Sequence, residues 1–82
     1  MKFLTKVTVS LKDGVLDPQG QTIGHALNDL GFDGISAVKS GKIFSIEIDA
    51  ESEQKAKEII SDAAQKLLAN PIIEKFDVEV IR

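Results

Sequence analysis

Apolar and polar residues alternate from Phe3 to Leu11: Phe3, Val7, Val9 and Leu11 share one parity, and Lys6, Thr8 and Ser10 share the other. A period of two predicts a half-buried strand. After the break KDGVLDP, Ile23, Ala26, Leu27 and Leu30 recur at helical spacing, and Gly31 stops the run where a helix often ends on a residue of positive φ. The stretch ISAVKSGKIFSIEIDA returns to period two. It predicts two strands joined by a tight turn at Ser40 and Gly41, with Phe44, Ile46 and Ile48 on one face and Ser45, Glu47 and Asp49 on the other.

From Asp49 to about Ala69 the period is helical again, with Ala56, Ile59, Ile60, Ala63 and Leu67 as the stripe and Lys55, Glu58, Asp62 and Gln65 opposite. Glu51 and Lys55, Glu53 and Lys57, and Asp62 and Lys66 are spaced as favourable i,i+4 pairs, each worth about 0.3–0.5 kcal/mol. Pro71 disfavours helical geometry at Asn70 and ends the helix. A last strand follows, with Phe76, Val78 and Val80 inward and Lys75, Asp77 and Glu79 outward. The order β-α-β-β-α-β predicts an α+β, ferredoxin-like domain: a four-stranded antiparallel sheet with two helices on one face. At 82 residues, positions 1–82 are expected to form a single domain. A domain this small buries a modest fraction of its surface, so association is expected to help it.

Composition narrows the functional classes. Without cysteine there is no disulfide framework, thiolate nucleophile or cysteine metal site, and a cytoplasmic location is the default expectation. MKFLTKVTVS lacks a signal-peptide core, and no apolar run approaches the roughly 20 residues that span a bilayer, so no membrane association is expected. A net charge of −3 and only four aromatic residues, all phenylalanine, make nucleic acid an unlikely partner.

Candidate chemistry is sparse. His25, the only histidine, lies nearly opposite the apolar stripe of the first helix, with Asp29 at i+4 but no nucleophile beside it. Glu47, Asp49, Asp77 and Glu79 alternate with apolar residues and read as a solvated sheet face rather than a metal or acid–base site. No GxGxxG opens a helix after a strand and no GxxxxGK[ST] occurs, so the usual nucleotide-phosphate loops are missing. No catalytic, cofactor-binding or metal residue is assigned to the chain.

LDPQG, residues 16–20, is the most compact motif. Asp17 suits an N-cap, Pro18 suits the first helical position, and Leu16 can pack over the first turn. That accounts for three of the five residues and leaves Gln19 and Gly20 over. Gly20 and Gly24, four apart in the helix, each cost about 0.8–1 kcal/mol relative to alanine. Such a cost points to close backbone approach by the sheet or by another chain.

LKDGVLDPQGQTIGHALNDLGF followed by LLANPIIEKFDVEVI resembles the PurS family, the small subunit of phosphoribosylformylglycinamidine synthase in purine biosynthesis. The shared pieces are K-x-G-V-x-D-P-Q-G, A-L-x-x-L-G-F and L-A-N-P-x-I-E, in order over essentially the whole chain. The resemblance implies a noncatalytic assembly subunit that bridges the glutaminase subunit PurQ, which releases ammonia, and the synthetase subunit PurL. ATP and Mg would be used by the synthetase, with no cofactor on this chain. It further implies a homodimer, or a tetramer of paired dimers. The candidate subunit-interface residues are Asp17, Pro18, Gln19, Gly20, Asn70 and Pro71. The resemblance departs at His25, where many relatives carry a basic residue, and at Phe32 and Phe76, where many carry tyrosine. A competing expectation is a dimeric ferredoxin-like regulatory module that binds a small effector.

Overall fold

The computed structural model describes residues 1–82. Its elements are β1 (Lys2–Leu11), α1 (Pro18–Asp29), β2 (Gly41–Asp49), α2 (Glu53–Ala63), which runs on as a π-helical turn (Ala64–Leu68), and β3 (Glu74–Val80). The three strands form one antiparallel sheet in the order β2-β1-β3, with Val7 opposite both Phe44 and Val78.

The core lies between this sheet and α2. Val7, Val9 and Val78 from the strands meet Ile60, Ala64 and Ala69, while Phe44, Ile46, Ile48, Leu68 and Phe76 pack around them. Thr5 occupies the same parity as Val7 and is fully buried. Its hydroxyl is satisfied by donating to the Ile46 carbonyl at 2.8 Å, which removes the cost of burying a polar group.

Three expectations are corrected. The hairpin before Gly41 does not form, so the sheet has three strands and not four. Residues 35–40 form no strand and run along α1, because the Asp17 carboxylate holds Ser40 and the α1 backbone lies against Val38. Second, α1 does not join α2 on the sheet. Its apolar stripe is open, with Ile23 and Leu30 exposed, and the molecule measures 50 × 26 × 14 Å. A radius of gyration of 16.1 Å exceeds the ~12 Å of a compact domain of this length.

Third, α2 starts at Glu53, capped by the Ser52 hydroxyl, which accepts from the Lys55 amide at 3.1 Å. Glu51 therefore lies outside the helix and forms no pair with Lys55, which turns instead to Glu58 at 3.9 Å; of the expected pairs, Asp62–Lys66 closes at 3.0 Å. The buried stripe is Ala56, Ile60 and Ala64, with Ile59, Ala63 and Leu67 on the exposed side.

Candidate functional site

Asp17 does more than begin a helix. Its carboxylate accepts from the Gly20 amide at 2.9 Å, as an N-cap should, and also from the Ser40 amide at 2.6 Å and the Ser40 hydroxyl at 2.8 Å. The Ser40 amide, then the Gly20 amide, then the Ser40 hydroxyl hold this carboxyl below the ordinary aspartate range, with desolvation opposing them. One side chain thus ties the start of α1 to the entry of β2, 23 residues away.

Gly20 explains its own presence. A Cβ there would collide with the Val38 carbonyl oxygen, so no side chain fits without moving backbone, whereas at Gly24 it would meet the Val38 methyl at an ordinary 3.6 Å. The close approach expected for these glycines is made by the chain's own residues 35–38. Pro18 occupies the first helical turn, and Gln19 is exposed with no hydrogen-bond partner in the protomer.

The second motif is just as tightly held. The Asn70 side-chain oxygen accepts from the Ile72 amide at 3.0 Å, and the Asn70 amide donates to Glu74 at 2.7 Å. The Asn70 carbonyl accepts from the Ile73 and Glu74 amides, while Lys12 donates to the Pro71 carbonyl at 2.7 Å. Glu74 also faces Lys42 of β2 at 3.7 Å.

These bonds bring the two motifs to one end of the sheet. A shallow hollow there is bordered by Asp17, Pro18, Gln19, Lys42 and Glu74, and an adjoining one by Lys12, Pro71 and the same Glu74. Gly20 lies apart from both, facing Val38. Glu74, the last residue of the L-A-N-P-x-I-E pattern, is the member that sequence reasoning did not select. Its position three residues after a helix-breaking proline was the available signal. His25 borders a separate groove with Gly24, Asn28 and Ser36, between α1 and residues 35–38. No three histidine, aspartate or glutamate side chains converge as a metal site. What the end of the sheet offers is a polar surface with two uncommitted amide side chains, Gln19 and Gln65.

Comparison with known proteins gives a consistent picture. The family model PurS, phosphoribosylformylglycinamidine (FGAM) synthase, matches residues 4–82. The PurS subunit of that synthase from Methanocaldococcus jannaschii is 43% identical over 78 residues, 95% of this chain and 94% of that protein; the Bacillus subtilis subunit is 37% identical over 95% and 92%. The M. jannaschii crystal structure aligns with a TM-score of 0.88 at 41% identity, over 98% of this chain and 96% of that one. A chain of the PurLQS structure from Thermotoga maritima aligns with a TM-score of 0.91 at 31% identity, over 99% of each.

Proposed function

The chain belongs to the PurS family, subunits of FGAM synthase in purine biosynthesis, and on that premise we propose that it is the noncatalytic assembly subunit between a PurQ glutaminase and a PurL synthetase. The observation that carries this role is the end of the sheet, where the Asp17, Asn70 and Glu74 side chains are held by hydrogen bonds to backbone while the Gln19 side chain stays free. A docking surface needs such preorganisation, because side chains already ordered lose little entropy on binding.

The chemistry requires a bridge. Ammonia released at one active site must reach another without escaping or being protonated in bulk water, so the two sites must be held in connection. This chain acts on that geometry and carries none of the bond-making groups. ATP and Mg belong to the synthetase subunit. The working form is a homodimer in the cytoplasm, two copies presenting two docking ends. The ferredoxin-like arrangement of two helices over one sheet is completed only when a second chain covers what α1 leaves open.

Reconstitution tests the role. Amidine synthesis driven by glutamine should collapse when this chain is omitted from the two large subunits, while synthesis driven by free ammonia should persist. Undiminished glutamine-driven turnover would overturn the assignment. Gln19→Ala should fold and dimerise normally yet lose complex formation by size exclusion; unchanged assembly would reduce Gln19 to a surface residue.

A further inference from the structure

The start of β3 collects positive charge that the protomer does not neutralise, although the chain as a whole carries −3. Lys12, Lys42 and Lys75, brought together from the ends of the three strands, surround Glu74 in two adjoining hollows. Glu74 is the one carboxylate among them. Its side chain, 16% exposed, accepts from the Asn70 amide and faces Lys42 at 3.7 Å. Two cations are left over. The Lys12 ammonium donates to the Pro71 carbonyl, a neutral acceptor, and neither Lys12 nor Lys75 meets a carboxylate. Asp13, next in sequence to Lys12, turns to Lys39 at 4.0 Å.

Between Lys12 and Lys75 lies a hollow of about 310 Å³, with Ala69 and Phe76 as its apolar part and the exposed Gln65 amide on its rim. It opens onto the margin of the sheet, where no further strand covers β3. The Lys12 amide donates to the Ile73 carbonyl at 2.9 Å and the Ile81 amide to the Leu4 carbonyl at 2.8 Å, so the odd-numbered residues of this segment face β1. Phe76 and Val78 therefore turn N–H and C=O to the open side. Surplus cations, an apolar patch and unpaired main-chain groups thus share one place.

A compact anion is poorly served there, because no arginine fork and no helix N-terminus borders the hollow, and part of its lining is apolar. An extended chain bearing a carboxylate uses all three features. We propose that the open edge of β3 receives an extended acidic segment of one of the two large subunits, its main chain on Phe76 and Val78 and a carboxylate between Lys12 and Lys75. Main-chain hydrogen bonds hold such a strand, and the side-chain pocket selects it. This rests on the assembly role proposed above and gives the docking end the chemistry of its partner. Charge at the rim also steers encounter, so salt should act mainly on the association rate.

Binding of the full chain to the two large subunits tests this. Association should slow several-fold between about 0.1 M and about 1 M salt, as the Debye length falls from about 10 Å to about 3 Å. Lys12→Glu combined with Lys75→Glu should weaken binding about ten-fold at the lower salt, whereas Lys55→Glu with Lys57→Glu, an equal change of charge on α2, should not. Lys12→Arg with Lys75→Arg should still bind, which separates loss of charge from loss of fold. In the wild-type complex the Phe76 and Val78 amides should gain protection from hydrogen exchange. If the complex forms equally well with the reversed pair, or leaves those amides exchanging as in the free chain, the docking mode falls and the assembly role stands. Saturable binding of inorganic phosphate to the isolated chain, followed at the Lys75 amide by NMR, would assign the hollow to a free anion and overturn it as well. A wild-type chain that forms no complex removes both.

Discussion

The two helices of this protein carry similar amphipathic patterns and meet opposite fates. Beneath α2, Val7, Val9, Ala56 and Ala64 have no exposed surface, whereas along α1 only Gly20 is buried and Leu30 keeps 74% of its surface in water. Burying a leucine side chain contributes about 1.5–3 kcal/mol, so the α1 arm leaves most of its stabilisation unrealised within the protomer. An apolar stripe states that a face is to be covered; it does not state by which chain. The closed half supplies the folding energy, and the arm's apolar surface stays open within the protomer.

Substitutions can break or sharpen this contrast. The largest effect belongs to the closed half: Ile60→Ala should lower unfolding free energy by about 2–5 kcal/mol in urea titration, a large share of what a domain this size possesses. If it costs no more than a substitution in the arm, the two halves are not distinct. In the arm, Gly20→Ala should cost about 1–3 kcal/mol, because a Cβ cannot coexist with the Val38 carbonyl. Gly24→Ala should instead stabilise by up to about 1 kcal/mol, since its Cβ finds ordinary contact and glycine is the poorer helix former.

Asp17 connects the arm to acid sensitivity. Its folded pKa is depressed, so its contribution is complete above the ordinary aspartate value of about 3.9 and is lost as pH falls through the lower folded value. Protection of the Gly20 and Ser40 amides against hydrogen exchange, relative to the unfolded chain at the same pH, should therefore weaken below about pH 4. In Asp17→Asn it should be weak already at neutral pH and lack that acid step. The smallest effect is Leu30→Ala, expected within about 0.5 kcal/mol at concentrations where the protomer is alone. A larger cost appearing only at high protein concentration would show the arm being covered by its copy.

Much of this was legible from alternation alone. The parity of β1, β2 and β3 placed Val7, Val9, Phe44 and Val78 correctly, and Asp17–Pro18 marked the start of α1. What escaped was non-local. Nothing adjacent to Asp17 announces Ser40 as a second partner, and that bond draws residues 35–40 along α1 in place of the expected hairpin. Thr5, a polar residue on the apolar parity of β1, is buried because the Ile46 carbonyl supplies its partner. Asn70 and Pro71 could be named as candidates from their motif, but Glu74 stands out only once Asn70 and Lys42 converge on it.

The π-helical turn has a consequence for phase. An α-helix that continued past Ala64 would point Ala69 well away from the side that carries Ala64. In the wider turn the Ala69 amide bonds to the Ala64 carbonyl at 2.9 Å, and both alanines end buried in the same core. The turn acts as a vernier between helical counting and the strand that follows: it absorbs one residue so that Asn70 reaches the sheet facing Glu74. Deleting one residue from 65–68 would let the helix run regularly and still bring Ala69 to the same side within roughly 40°, because four residues of α-helix sweep nearly the arc of five in the wider turn. A single-residue deletion here would therefore remove the π-helical turn and leave the surface it delivers facing the sheet.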